Sequence, residues 1–304
     1  MQLAIGVDLG GTKIEVVALD ERGEERFRRR RPTPRGSYEG TLDTIRDLVL
    51  EAEQALGARG TVGIGHPGAI SPATGLIKNA NSTWLNGRAL DKDIAARLDR
   101  PVVLANDANC LALSEATDGA GADAPVVFAV ILGTGVGGGV VVGGRLVNGA
   151  NAIGGEWGHS PLPMPLDDER PGLACYCGRY GCIETWLSGP ALAADHRRQW
   201  GEALPSAEIV TRAEAGDHDA NWTMNRYEDR LARSLATVIN LLDPDVIVLA
   251  GGMSNVQRLY GNVPHRWGRY VFSDHVANRL LPPVHGDSTG VRGAAWLGRS
   301  AGRD

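Results

Sequence analysis

The chain has 304 residues, 43% of them hydrophobic and 22% charged, with 31 lysines and arginines against 36 aspartates and glutamates, for a formal net charge of −5. That composition is globular rather than disordered, and its acidic balance argues against a surface built to neutralise nucleic-acid phosphates. No run of about 18 apolar residues reads as a membrane span. Met1 leads straight into an apolar run without a basic leader and long apolar core, so no signal peptide is read and the cytoplasm is the expected location. The length suggests about two α/β domains. The 41 glycines are nearly double the ordinary ~7%, and they cluster, as backbone loops that must approach something closely would.

Residues 3–8 form an apolar run, Gly10-Gly11 a turn and residues 14–19 a second run, which together predict a hairpin. In Asp8-Leu9-Gly10-Gly11-Thr12-Lys13, two glycines let backbone N–H groups reach an anion without a Cβ in the way. Thr12 adds a hydroxyl and Lys13 a cation. Asp8 is an odd ending for an apolar strand unless it holds a metal ion or its water shell. A plain hairpin turn with a capping aspartate fits the same residues equally well. The loop does not lead into a helix, so neither a P-loop nor a dinucleotide-binding reading suits it.

The basic run Arg26, Arg28, Arg29, Arg30 and Arg31 has no interleaved aromatics and reads as a solvated strand ahead of Pro32. Residues 38–56 carry apolar side chains at helical spacing, with Gly57 as the stop. Residues 62–65 read as a buried strand running into Pro67-Gly68. Residues 102–105 read as another, with Asn106-Asp107 at its carboxyl end and a helix following through Glu115. A carboxylate in that position suits a general base, while helix capping explains the same pair of residues. Cys110 lies in an apolar helical context and reads as a small buried hydrophobe.

The opening theme then returns. Residues 126–132 predict a strand, residues 133–139 a glycine-rich turn and residues 140–142 a strand. Two related α/β domains facing one another are the expected architecture, with ligands between them. The boundaries drawn are 1–117 plus 288–304 for a small domain and 118–287 for a larger one. Gly133, Thr134 and Gly135 make the second loop, and two Gly/Thr hairpins, one per domain, are what a clamped nucleoside triphosphate requires. Residues 227–242 form an amphipathic helix and residues 246–249 a strand. Gly251-Gly252 then makes either a tight strand–helix turn or a place where a flat ring passes over the backbone.

His159, Cys175, Cys177 and Cys182 lie within 24 residues, and three of the four cysteines within eight. Imidazole nitrogen and thiolate sulfur are the donors tetrahedral zinc prefers, and four of them close the site, so this zinc would be structural. A disulfide is the less favoured reading in a cytosolic chain. Residues 160–174, with four prolines, look like an inserted loop. Trp84, near Asn81, is a candidate lining for a sugar pocket, and Trp157, Trp186 and Trp296 read as core.

The stretch from Leu132 through Gly149 to Gly155 and Gly158-His159 resembles the signature of the ROK family of bacterial sugar kinases and repressors. Asp8–Thr12, Asn106-Asp107, the His/Cys cluster and Gly251-Gly252 follow in that family's order. Segments 78–87 and 285–295 look closest to its fructokinase/mannokinase branch. The resemblance implies an actin-like, two-lobed α/β fold with ATP and Mg²⁺ in the cleft, phosphorylating the 6-hydroxyl of fructose or mannose. Glucokinase and N-acetylhexosamine kinase are the alternatives. By similarity, Asp107 would be the base. Asn81, Asn106, Asp107, Glu156, His159 and Glu184 would hold the hexose. Asp8, Gly10, Gly11, Thr12, Lys13, Gly133, Thr134 and Gly135 would serve ATP, with Gly251 and Gly252 flanking the adenosine. His159 would give one nitrogen to zinc and the other to sugar. His66 departs from the small apolar residue usual before Pro67-Gly68. A homodimer is a family-level expectation. A repressor of this family would need an N-terminal helix-turn-helix, for which a first strand at residue 3 leaves no room.

Overall fold

The computed structural model describes residues 3–286 and 289–300. Asp287 and Ser288, where the expected domain boundary fell, lie outside them. The chain divides into two compact units. One comprises Met1–Asp123, Gly139–Gly155 and Val284–Asp304, the other Ala124–Gly138 and Glu156–Pro283. Residues 139–155, placed in the larger domain by sequence, cluster with the first unit.

The chain opens with three strands, β1 (Leu3–Leu9), β2 (Lys13–Leu19) and β3 (Glu25–Pro32), and then α1 (Tyr38–Leu56). Ser37 caps α1 by accepting from the Gly40 N–H, and Gly57 ends it in the left-handed region at φ 64°. Strands β4 (Gly60–His66), β5 (Ala69–Ile70) and β6 (Ile77–Lys78) follow, then α2 (Leu90–Leu98), β7 (Val103–Asn106) and α3 (Asp107–Asp118). Next come β8 (Val126–Leu132), β9 (Val136–Val142) and β10 (Arg145–Leu146). Helices α4 (Glu184–Leu187), α5 (Gly189–Trp200), α6 (Ser206–Glu214) and α7 (His218–Leu242) precede β11 (Val246–Ala250). The described chain closes with α8 (Arg258–Trp267), β12 (Arg279–Leu281) and α9 (Thr289–Ser300).

The first sheet has the order β3-β2-β1-β4-β7. β1 runs antiparallel to β2 and parallel to β4, which is parallel to β7. One face of β1, β2 and β4 packs against the apolar side of α1 through Leu42, Ile45, Leu48 and Val49, all essentially inaccessible. Burying each such side chain contributes about 1.5–3 kcal/mol. The other face receives α9 at backbone contact. A Cβ on Gly63 would lie 2.0 Å from the Ala294 carbonyl oxygen; α9 is equally close to α3, where a Cβ on Gly293 would lie 1.7 Å from the Cys110 carbonyl oxygen. Trp84 packs against the first unit's core and gives its indole N–H to the Thr41 hydroxyl at 3.2 Å, a core role in place of the sugar-pocket lining expected of it.

The arginine run is edge strand β3. Arg28 and Arg30 both bind the buried Glu15, while Arg29 and Arg31 bind Glu51 on α1. Alternating charges thus blunt a sheet edge and are answered by carboxylates.

The second sheet has the order β10-β9-β8-β11-β12, with β11 parallel to both β8 and β12. β9 begins at Val136, so Gly137, Gly138 and Gly139 belong to a strand rather than to the turn the sequence suggested. A Cβ on Gly158 would sit 2.1 Å from the Val136 carbonyl oxygen, and the Trp157 indole donates to the Gly137 carbonyl at 2.9 Å. Such close backbone approach needs glycine more than local turn geometry does. Helix α7 begins at His218, a turn or more before the stretch recognised by periodicity.

The loop 160–174 is pinned to α7. Buried Glu169 accepts from Arg230 Nε at 2.7 Å and Arg233 Nη2 at 3.0 Å. Arg230 also reaches Asp195 on α5, and Arg233 donates to the carbonyls of Pro163 and Met164. All four charged side chains are at most 2% exposed.

Candidate functional site

Each unit carries part of the predicted machinery. In the first, Asp8 stands second from the end of β1, and Gly10, Gly11 and Thr12 form the hairpin loop into Lys13, the first residue of β2. The Gly10 N–H donates to the Lys13 carbonyl at 3.0 Å, and Thr33 closes the loop from the β3 side through its hydroxyl, on the Gly10 carbonyl at 2.7 Å. Arg35 donates from Nε to the Gly11 carbonyl at 3.1 Å, which brings a cation to a glycine loop predicted to hold phosphate. Sequence reasoning passed over Arg35; its only signal was a lone cation between Pro34 and Gly36.

Asn106 ends β7 and Asp107 begins α3. The capping reading of this pair is realised. Asn106 is the cap, accepting from the Ala108 N–H at 2.8 Å, and it donates to the Gly68 carbonyl at 3.0 Å. Asp107 also takes the Ala108 N–H at 2.8 Å and sits in the first turn, where the helix dipole favours a negative charge. Asn106 thereby anchors the Pro67-Gly68 loop. At Gly68, φ is +76° and a Cβ would lie 2.3 Å from the Lys78 carbonyl oxygen and 2.7 Å from the Ala80 nitrogen. Asn86 brackets Ala80 with two hydrogen bonds, fixing the backbone next to Asn81. Asn81, Asn106 and Asp107 therefore belong to one connected set of segments.

Burial raises the pKa of Asp8 to about 6, and the charges of Asp107 and Glu15 add to the rise while Lys13 and Arg30 oppose it. Two carboxylates that disfavour each other's ionisation are poised to gain from a cation. Burial pushes the Cys110 thiol far up, with Asp8 and Asp107 adding to it, which keeps it a neutral small hydrophobe as read. His66 is 1% exposed, its Nδ1 is 3.0 Å from the Pro67 carbonyl oxygen, and burial depresses its pKa. It acts as a neutral prop under the Pro67-Gly68 loop.

In the second unit, the loop Gly133-Thr134-Gly135 joins β8 to β9. The Gly133 N–H reaches the Gly135 carbonyl at 3.0 Å, and the Gly189 N–H, at the start of α5, reaches the Gly133 carbonyl at 2.8 Å. Glu184 braces the same loop by accepting the Val136 N–H on Oε2 at 2.9 Å. Beside it opens a pocket of about 590 Å³ lined by Gly133, Thr134, Pro190, Val210, Gly252 and Asn255, among others. Gly252 lines it. Gly251 does not: at φ +80° it makes the turn itself, and a Cβ there would lie 2.6 Å from the Leu132 carbonyl oxygen. The α5 and α6 contributions, Pro190 and Val210, carried no motif that could have announced them.

His159, Cys175, Cys177 and Cys182 present ligand atoms that all lie within 4.8 Å of one another. The Cys175 sulfur is 3.6 Å from His159 Nδ1, and the sulfurs of Cys177 and Cys182 are 3.6 Å apart. Tetrahedral zinc, with Zn–S near 2.3 Å and Zn–N near 2.0 Å, implies edges of about 3.8 Å and 3.5 Å, so the donor set fits that ion. The cysteines are free thiols. His159 Nε2 points away from the sulfurs and lies 3.0 Å from the Tyr176 hydroxyl.

Glycine hairpins on two sheets of like strand order, carboxylates at strand ends and a pocket beside one hairpin are parts that phosphoryl transfer uses. The ROK family model matches residues 4–301, and the chain belongs to that family. It is 40% identical over 296 residues to an N-acetyl-D-glucosamine kinase of Escherichia coli O157:H7, and 41% identical to one of Salmonella gallinarum, covering 96% of this chain and 98% of each relative. The ROK hexokinase of Thermus thermophilus matches the whole of both chains at a TM-score of 0.89 and 30% identity. A ROK glucokinase of Streptomyces griseus, solved with glucose and AMPPNP, matches at 0.77 and 29%, covering 98% of this chain and 99% of that one. The chain is thus a hexose-phosphorylating sugar kinase with the two-lobed, actin-like α/β fold of its family. Among the described residues, no helix is long and apolar enough to cross a membrane.

Proposed function

We propose that this protein phosphorylates N-acetyl-D-glucosamine on its 6-hydroxyl, using ATP and Mg²⁺. The observation that carries the choice of sugar is identity of 40–41% along almost the full length of N-acetyl-D-glucosamine kinases. The fructose or mannose reading rested on two short segments, 78–87 and 285–295, and whole-chain similarity outweighs them.

Asp107 takes the proton of the 6-hydroxyl as that oxygen attacks the γ-phosphorus, a role that general-base catalysis values at about 10²–10⁴-fold. Asn81 and Asn106 orient the sugar in the first unit, and Glu156, His159 and Glu184 do so in the second. The N–H groups of the two glycine loops, with Thr12 and Thr134, hold the phosphates. The adenosine takes the pocket beside Gly252. Asp8 is the residue to hold Mg²⁺ through its water shell, and the ion supplies neutralisation of phosphate charge. The four His/Cys ligands would hold one structural zinc. It ties the segment of Glu156 to that of Glu184 and takes no part in the reaction.

The test is coupled ADP release over N-acetyl-D-glucosamine, N-acetyl-D-mannosamine, glucose, mannose and fructose. The highest kcat/KM should fall on N-acetyl-D-glucosamine. A preference for fructose or mannose of tenfold or more would overturn the choice of sugar while leaving the kinase assignment standing.

A further inference from the structure

Tyr176 stands between two cysteines of the metal cluster, and its side chain is an anomaly. It is 82% exposed, one of the most exposed large aromatic residues of the described chain. Yet its hydroxyl lies 3.0 Å from His159 Nε2, and the two rings meet edge to face at 5.2 Å. His159 follows Glu156 by three residues, and Cys182 of the cluster precedes Glu184 by two. An exposed phenol therefore reaches back onto a histidine assigned above to the hexose.

We propose that Tyr176 is a placeholder for a substrate hydroxyl: its phenol engages His159 Nε2 and gives that nitrogen up when the hexose binds. The proposal rests on the assignment of Glu156, His159 and Glu184 to the sugar.

The chemistry follows from the ring's orientation. Nδ1 faces the Cys175 sulfur, so with its lone pair on the zinc this cluster would hold, the ring proton would reside on Nε2. Nε2–H then donates to the Tyr176 oxygen. A sugar hydroxyl oxygen satisfies the same donor equally well, and the two cannot occupy it together. Tyr176 is held there by one neutral hydrogen bond and an edge-to-face contact, with little burial. Its release costs the sugar only what a neutral hydrogen bond is worth, a factor of about two to ten in affinity. The site gains a histidine kept in the right tautomer and orientation before substrate arrives. Neighbouring Arg179 is held separately, donating to the His159 carbonyl at 3.2 Å, so displacement of Tyr176 leaves the turn in place.

Tyr176→Phe keeps the ring and deletes the competing oxygen. Hexose Kd, measured by calorimetry on the zinc-loaded protein, should fall about two- to tenfold, with kcat, ATP affinity and zinc content unchanged. A structure of the wild type with the bound hexose should show a sugar oxygen on His159 Nε2 and the Tyr176 hydroxyl withdrawn from it. An unchanged or raised hexose Kd in Tyr176→Phe, or a hexose complex that retains the 3.0 Å contact, overturns the proposal. Glu156→Gln separates this failure from that of the underlying site. If hexose affinity in that variant equals the wild type's, the sugar is not bound there and the placeholder falls with it. If affinity drops while Tyr176→Phe is silent, the placeholder alone is wrong.

Discussion

The two sheets share one plan. In β3-β2-β1-β4-β7 and β10-β9-β8-β11-β12, an antiparallel pair, β1–β2 or β8–β9, carries the glycine loop, and two parallel strands follow on the same side. What differs is where each sheet places its chemistry. The first puts carboxylates at strand ends, Asp8 on β1 and Asp107 just after β7, and crosses from β3 to β4 by a single helix. The second ends β8 in Ile131-Leu132 and follows β12 with two prolines. Its His/Cys cluster, Glu156 and Glu184, the residues proposed for zinc and sugar, lie in the long crossover between β10 and β11. On the proposed reading the duplicated frame would hold phosphate twice, the first unit alone would supply the base, and the second unit's crossover would add Glu156, His159 and Glu184 to the sugar contacts of Asn81 and Asn106. Substitutions in the first unit's acids should strike turnover, and those in the second unit's crossover should strike binding.

The largest effect should come from Asp107→Asn, which keeps the Ala108 cap through Asn106 and so keeps α3. Its kcat should fall by two orders of magnitude or more with hexose Kd within a few-fold of wild type, read by steady-state kinetics and calorimetry. Retention of more than a tenth of kcat would move the base elsewhere and dissolve the contrast between the units.

Cys177→Ser should do the converse. Metal analysis should find about one zinc per wild-type chain and far less in the variant. The melting temperature should drop by several degrees and hexose Kd should rise about tenfold. Structural zinc supplies on the order of 10 kcal/mol in small peptides, but here the segment is also tied to α7 through Glu169, Arg230 and Arg233. A damaged rather than unfolded protein is therefore expected. Zinc-free wild type with full hexose affinity would refute the claim.

Asp8→Asn sharpens the contrast through pH. A carboxyl whose pKa is about 6 in the folded protein and 3.8 ordinarily is favoured in its neutral form by folding. That stabilisation is fully present below pH 3.8 and is lost as pH rises through 6. At pH 7 the ionised group costs up to about 3 kcal/mol, so the asparagine variant should melt higher than wild type there while losing Mg²⁺-dependent turnover. The difference should close as pH falls toward 4, where the carboxyl is protonated. Melting curves from pH 4 to 8 decide it, and identical pH profiles for the two proteins would remove the electrostatic account of Asp8.

Much of the first unit was legible because its signals are local. The hairpin at Gly10-Gly11, the capped helix from Tyr38 to Leu56 and the strand ending at Asn106 each follow from periodicity and turn residues a few positions apart. The second unit was legible where its cysteines crowd together and where β8 repeats β1. The rest depends on contacts distant in sequence. Gly137–Gly139 look like loop until Trp157 and Gly158 are seen lying on that strand. Residues 160–174 look like an insertion until Glu169 meets α7. Pro190 and Val210 become pocket residues only because α5 and α6 stand beside the second loop. Trp84 was drawn toward the sugar by its neighbour Asn81, whereas its indole N–H belongs to Thr41.

The smallest effect tests whether the two glycine loops are equivalent. Thr134 lines the 590 Å³ pocket, and its loop is braced from three sides by Gly189, Glu184 and its own Gly133–Gly135 hydrogen bond. Thr12 is exposed in a loop tied down by Thr33 and Arg35. Replacing either threonine by valine removes one hydroxyl and little else. A lost neutral hydrogen bond is worth about 0.5–1.5 kcal/mol, and one to a charged group about 1.5–3. Thr134→Val should therefore raise KM for ATP about threefold or more, with hexose KM unchanged. Thr12→Val should raise it by less, because its loop can still offer backbone N–H groups and Arg35. Equal effects would mean that the loops hold the phosphates symmetrically, despite their different bracing. A rise confined to hexose KM in Thr134→Val would place the second loop at the sugar and reverse the division of labour drawn between the units.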